Sequence, residues 1–154
     1  SDVYKRQYTH VAHNSNFGDY IVVSSFSGVA GHVTVEDHAV IGAMSGVHQF
    51  VKIGAFAMIG GMSKIVQDVC PFVIADGNPA RVVGLNAVGI ARNKIPAESK
   101  SALKKAYRLI FRSGLKLNDA IQEMEQELPS TPEIEHLLRF LRNCDRGLCR
   151  TRDR

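Results

Sequence analysis

Ten consecutive hexads decide the fold: VAHNSN (11–16), FGDYIV (17–22), VSSFSG (23–28), VAGHVT (29–34), VEDHAV (35–40), IGAMSG (41–46), VHQFVK (47–52), IGAFAM (53–58), IGGMSK (59–64) and IVQDVC (65–70). Their first residues are Val11, Phe17, Val23, Val29, Val35, Ile41, Val47, Ile53, Ile59 and Ile65, nine of them Val or Ile. The fifth residue of each hexad is mostly small (Ser15, Ser27, Ala39, Ser45, Ala57, Ser63), and the second is often Gly or Ala. Self-similarity at this period is the signature of a parallel β-helix. Each hexad supplies a short strand and a corner, and three hexads close one triangular coil of eighteen residues. The β-branched residue points inward and stacks on its equivalent in the next coil, about 4.8 Å away, while the small residues permit tight corners. No coil buries its face alone, so stability comes from stacking. A β-sandwich would show period-two strands with turns every eight to twelve residues, and the sequence does not.

The coil length also works as a ruler for the histidines. The hexads that begin at 11, 29 and 47 stack on one side, and they contain His13, His32 and His48, with His10 just before the first. Four of the six histidines are thus expected at one corner, which makes them candidates for a functional site. His38 falls on another side, and His136 belongs to a later helical region.

With 154 residues the chain makes one domain, or one with a smaller appendage. It has no run of eighteen apolar residues and no signal-peptide pattern, so a cytoplasmic location is expected. Cys70, Cys144 and Cys149 are odd in number and are not spaced as a zinc site, which reads as reduced thiols. The net charge of +4 is uneven: residues 96–154 carry twelve Lys/Arg against nine Asp/Glu, with Arg139, Arg142, Arg146, Arg150, Arg152 and Arg154 near the end. A basic face can steer an acidic partner. Nucleic-acid binding is not expected, since no recognition motif or aromatic platform accompanies the charge.

Residues 1–7 stand off the beat, with polar Lys5 at a core position, and read as a non-native remnant. The repeat is already running where it begins, which predicts a piece whose earlier coils are missing. The coils are expected to run without interruption to Val69, with Pro71 closing the pattern and residues 8–81 forming the β-helix. Residues 82–154 are expected as a helical domain, with 82–93 as a connector. Its three helices run from Ala97 to Arg112 behind Pro96, from Asp119 to Leu128 with Asn118 as N-cap, and from Pro132 with Ser130 or Thr131 as cap. Their apolar stripes, such as Leu103, Ala106, Tyr107 and Ile110, recur at three and four, which marks buried faces.

The motifs around the histidines are HVAHNS (10–15), AGHV (30–33) and GVHQF (46–50), followed by GNPAR (77–81), GLNAVGIAR (84–92) and YRLIFRSG (107–114). Together with the helical tail they resemble the UDP-N-acetylglucosamine O-acyltransferases that open lipid A biosynthesis. The likeness extends from Thr9 to about Arg150. It implies a mainly β protein, a left-handed parallel β-helix followed by a small C-terminal helical domain; the left hand itself comes from the resemblance, since general crossover rules favour the right. It also implies transfer of an (R)-3-hydroxyacyl chain from acyl carrier protein to the 3-hydroxyl of UDP-N-acetylglucosamine by a homotrimer, without cofactor, metal, nucleic acid or stable membrane insertion. By motif position, His13 matches the catalytic base and the Gly31 N–H the oxyanion donor. His10, His32, His48 and Gln49 match substrate-positioning residues, and Asn86 and Arg92 match residues that contact the sugar nucleotide. Gly61 falls where the family sets acyl-chain length, and a glycine there implies a long chain. Asn14 stands where many members carry an Asp that orients the base, and Val88 and Asn93 replace polar and basic residues near the nucleotide site.

Three other readings compete. A γ-class carbonic anhydrase shares the β-helix and binds zinc through three histidines, but its His-x4-His spacing is missing here. Another hexapeptide-repeat acyltransferase, N-acylating or coenzyme A-dependent, would differ in its acceptor or donor. An inactive scaffold would follow if missing coils are needed to build the substrate groove.

Overall fold

The computed structural model describes residues 2–144 and 146–152. Ser1, which opens the stretch set aside above, and Arg154, which ends the basic run, lie outside the described residues. In chain order the strands are β1 (Val3–Lys5), β2 (His10–Val11), β3 (Asn16–Phe17), β4 (Ile21–Val23), β5 (Gly28–Val29), β6 (Thr34–Val35), β7 (Val40–Ile41), β8 (Gly46–Val47), β9 (Lys52–Ile53), β10 (Met58–Ile59), β11 (Lys64–Ile65), β12 (Val73–Gly77) and β13 (Ala80–Leu85). The helices are α1 (Ala87–Arg92), α2 (Ala97–Phe111), α3 (Leu117–Glu127) and α4 (Pro132–Arg142). Two compact units result: residues 1–86 with 144–154, and residues 87–143.

The first unit is a β-solenoid. Its strands form three sheets, ordered β1-β4-β7-β10-β12-β13, β11-β8-β5-β2 and β3-β6-β9, so each coil places one strand on each face. All pairings are parallel except the β12–β13 hairpin. The register is eighteen residues, as in Val11↔Val29 and Val29↔Val47. The residues that open the hexads line the interior: Val23, Val29, Val35, Ile41, Val47, Ile53, Ile59 and Ile65 are at most 3% exposed. At about 25 cal/mol per Å² of apolar surface, each contributes roughly 1.5–3 kcal/mol.

The corners differ from the sequence expectation in an instructive way. The position that takes φ between 56° and 67° is the fourth of every hexad up to the one that begins at Ile59, and no glycine occupies it. It holds Tyr8, Asn14, Tyr20, Phe26, His32, His38, Met44, Phe50, Phe56 and Met62 in steps of six, then Phe72. A left-handed conformation costs a residue with a Cβ roughly 1–2 kcal/mol. Stacking with the residue one coil away offsets it: Tyr8–Phe26, Tyr20–His38, His32–Phe50, His38–Phe56 and Phe56–Phe72 have ring centroids 4.7–5.2 Å apart and planes within 19° of parallel. The glycines at second positions serve close approach instead. A Cβ on Gly42 would meet the Gly61 N and Ile59 O at 2.6 Å, and one on Gly54 would strike Pro71. The buried fifth-position serines form their own ladder. Ser27 Oγ donates to the Gly42 carbonyl (2.8 Å) and Ser45 Oγ to that of Gly60 (3.0 Å), while the Ser45 and Ser63 N–H groups each donate to the serine Oγ of the preceding coil at 3.3 Å. Small size and satisfied hydroxyls together explain Ser at these positions.

Three segments depart from the reading above. After Ile65 the register shortens from eighteen to sixteen: Val69, expected in a corner, bridges to Ile53, and Met58 pairs with Ile74. Val3–Lys5 pairs in parallel with Ile21–Val23, so the register of eighteen includes residues set aside as off the beat. Residues 80–85, assigned largely to a connector, form β13 against β12. Chain from the end also returns to this unit: Leu148 bridges to Asp68, the Cys149 N–H donates to the Asp68 carbonyl (2.8 Å), and the Val82 N–H donates to the Arg150 carbonyl (2.9 Å).

The second unit has four helices where three are expected, α1 being the addition. Its core includes Ala102, Leu103, Ala106, Ile110, Ala120, Ile121, Met124, Ile134, Leu137, Leu138 and Leu141; Leu103, Ala106 and Ile110 belong to the stripe read from sequence, whereas Tyr107 of that stripe is only half-buried. Thr131 caps α4 by accepting from the Ile134 N–H at 3.2 Å, with Pro132 in the first turn, which contributes about 1 kcal/mol. Asn118 does not cap α3; the helix starts two residues earlier than expected, at Leu117 behind Lys116.

Candidate active site

The site residues follow from the ruler. On the face built by β2, β5, β8 and β11, His10 is in register with Gly28, which pairs in turn with Gly46, and Gly46 with Lys64. The chain then turns the corner. There His13, Gly31 and Gln49 occupy equivalent places in three successive coils: a Cβ on Gly31 would lie 3.3 Å from the His13 carbonyl oxygen and 3.8 Å from Gln49 Nε2. His32, next to Gly31 in the chain, takes the left-handed corner position (φ 58°) and stacks on Phe50 at 5.1 Å. His48 follows β8 and is anchored by its N–H to the Ile65 carbonyl at 2.9 Å. The four histidines and Gln49 are all exposed, and Gly31 is half-buried.

The structure therefore brings His13, Gly31, His32, His48 and Gln49 to one corner, with His10 on the strand leading into it. The histidines do not stack on one another but take four neighbouring registers around the Gly31 position. Among the described residues, the Gly31 N–H donates to no protein acceptor, and no three His, Cys, Asp or Glu side chains are placed to hold a metal ion. Phe50 is the participant that sequence reasoning missed. Its signal was the six-residue run of bulky fourth positions, which places a ring directly over His32.

The remaining candidates lie elsewhere. Gly61 is exposed at the corner across the strand face, where a Cβ would come 3.3 Å from the Ala43 carbonyl oxygen. Asn86 is tied into the solenoid, its N–H to the Phe72 carbonyl (2.7 Å) and its side-chain amide to the Phe56 carbonyl (2.8 Å). Arg92 is exposed at the end of α1, in the other unit. No helix of the described residues is long and apolar enough to cross a membrane.

A parallel β-helix with one polar, histidine-rich corner and a helical unit is the architecture of hexapeptide-repeat acyltransferases. Residues 68–149 match the family described as Udp N-acetylglucosamine O-acyltransferase, domain 2. A curated acyl-[acyl-carrier-protein]–UDP-N-acetylglucosamine O-acyltransferase of Thermodesulfovibrio yellowstonii is 50% identical over 143 residues, covering 93% of this chain and 55% of the relative. Crystal structures of the UDP-N-acetylglucosamine O-acyltransferases of Moraxella catarrhalis and Acinetobacter baumannii superpose with TM-scores of 0.87 and 0.88 at 43% identity, each covering 92% of this chain and 55% of theirs. The chain belongs to the UDP-N-acetylglucosamine O-acyltransferase family and shares its left-handed parallel β-helix. It spans about half the length of the relatives it matches.

Proposed function

We propose that the protein transfers an (R)-3-hydroxyacyl chain from acyl carrier protein to the 3-hydroxyl of UDP-N-acetylglucosamine, in the cytoplasm and as a homotrimer. The observation that carries this reading is the corner where Gly31, with an N–H that has no protein acceptor, sits between His13 and Gln49 of the adjacent coils. Neutral His13 takes the proton from the sugar hydroxyl as its oxygen attacks the thioester carbonyl. The Gly31 N–H donates to the resulting oxyanion, a preorganised contact worth about 3–4 kcal/mol. Collapse expels the carrier's thiolate, which recovers the proton from the His13 imidazolium. His10, His32, His48 and Gln49 orient the substrates, with the Phe50 ring holding that of His32. Asn86 and Arg92 serve the sugar nucleotide, Arg92 through the planar donor fork that suits phosphate. Self-assembly is supported by the exposed apolar file Tyr8, Phe26, Met44 and Met62, each 57–77% exposed along one corner.

Incubating the purified protein with hydroxyacyl-loaded carrier and UDP-N-acetylglucosamine tests the reading. Acylated sugar nucleotide is expected from the wild type, with His13→Ala at least about a hundredfold slower. No product from the wild type would refute the reaction, and equal rates would refute the role of His13.

A further inference from the structure

The corner formed by His13, Gly31, His32, His48 and Gln49 holds no permanently charged side chain, yet the sugar nucleotide proposed as acceptor carries a diphosphate. On the strand face that leads into this corner, the outward positions run His10, Gly28, Gly46 and Lys64 in successive coils. Lys64 is the permanent charge of that face, since its four strands read HV, GV, GV and KI. The backbone of Lys64 is fixed beside the corner. The Gly46 N–H donates to the Ser63 carbonyl and the His48 N–H to the Ile65 carbonyl, both at 2.9 Å, so the chain from Gly46 to His48 runs alongside Lys64. One coil, about 4.8 Å, separates Lys64 from Gly46, and a Cβ on Gly46 would meet nothing within 4 Å. The space over that glycine is open to the flexible four-carbon stem of the lysine, which can swing its ammonium toward His48 and Gln49. Lys64 is exposed, and among the described residues its side chain has no hydrogen-bond or ion-pair partner.

We propose that Lys64 recognises the diphosphate of the sugar nucleotide, an inference that deepens the reaction proposed above and rests on it. An ammonium on a mobile stem is a point charge suited to phosphate oxygens. The diphosphate is joined to C1 of the ring whose 3-hydroxyl must meet His13, so it lies a single sugar ring from the attacking oxygen. The phosphodiester of the acyl carrier is set off from its thioester by the whole length of the prosthetic arm, and it suits a residue beside the corner less well. β11 also ends its sheet, where a lysine discourages edge pairing, but that role would leave nucleotide binding untouched.

The test is isothermal titration of the protein with UDP and with uridine, alongside steady-state acylation kinetics. Lys64→Gln should weaken UDP binding at least about tenfold, the loss expected of a charge-assisted contact, while uridine affinity stays within about twofold of wild type. Lys64→Arg should retain UDP binding, and Lys64→Glu should weaken it further. In the kinetics, Lys64→Gln should raise KM for the sugar nucleotide by a similar factor at nearly unchanged kcat, with KM for the acyl carrier unmoved. No UDP binding by wild type, unchanged UDP affinity in Lys64→Gln, equal losses for UDP and uridine, or a loss in Lys64→Arg as large as that in Lys64→Gln would each overturn the assignment. A rise confined to the KM of the carrier would overturn it too. Titration with UDP needs no turnover, so the two ideas separate. Charge-dependent UDP binding without acylation refutes the reaction alone, whereas acylation with an unchanged KM in Lys64→Gln refutes the role of Lys64 alone.

Discussion

Replacing Gly31 with alanine separates the chemistry of the corner from its architecture. The added Cβ would stand 3.3 Å from the His13 carbonyl oxygen and 3.8 Å from Gln49 Nε2. Only the first contact is tight, and a shift of a few tenths of an ångström relieves it. Gly31 is not among the positive-φ residues, so alanine gains about 0.4–1 kcal/mol by restricting the unfolded chain, which offsets the crowding. Net stability should stay within about 1 kcal/mol of wild type, a change of a few degrees at most in melting temperature. Activity should not be spared. The methyl beside the amide obstructs the position where an oxyanion must approach that N–H. Losing such a contact, at about 2.7–4 kcal/mol, lowers kcat by 10²–10³. Steady-state acylation assays alongside thermal denaturation would read both quantities. A variant with wild-type melting and kcat within about threefold of wild type would refute Gly31 as the oxyanion donor.

The other predictions address acyl length, the interior ladder and a buried thiol. A donor panel should show preference for chains of about fourteen carbons, and Gly61→Met should move it to shorter ones by filling the open space beside exposed Gly61; wild-type preference for a ten-carbon donor would sink this. Ser45→Ala removes the bond to the Gly60 carbonyl and leaves the Ser63 N–H without its Oγ acceptor, so denaturant titration should show a loss of about 1–3 kcal/mol. Burial pushes the Cys70 thiol well above its ordinary value of 9.0, with nearby Cys144 adding in the same direction. A raised folded-state value means that the unfolded chain loses this proton first. Stability under reducing conditions should therefore be held below about pH 9 and fall above it, by up to about 1.4 kcal/mol per pH unit. Cys70→Ala should flatten that decline, and an unchanged slope would count against the burial argument.

Periodicity made the solenoid legible because every interior position sees the same surroundings each coil, so a β-branched residue is selected every six. The same ruler predicts His10, His13, His32 and His48 at one corner, since register depends only on counting. Local rules narrowed the α4 cap to Ser130 or Thr131 and gave the α4 stripe and most of that on α2, because these depend on residues three and four apart. They failed where the deciding partner is far along the chain. Glycine is the local expectation for a left-handed corner, yet Phe56 is stable there because His38 and Phe72 stack on either side. The contraction after Ile65 was invisible because Val69 is apolar enough for either a corner or a strand, and only pairing with Ile53 decides. The return of residues 146–150 to the solenoid rests on backbone hydrogen bonds, which leave no side-chain pattern. Gly31 shows the division most directly. The sequence determines that a glycine stands one coil from His13, whereas the carbonyl and amide that border its two sides come from neighbouring coils and take those places only once the coils have stacked.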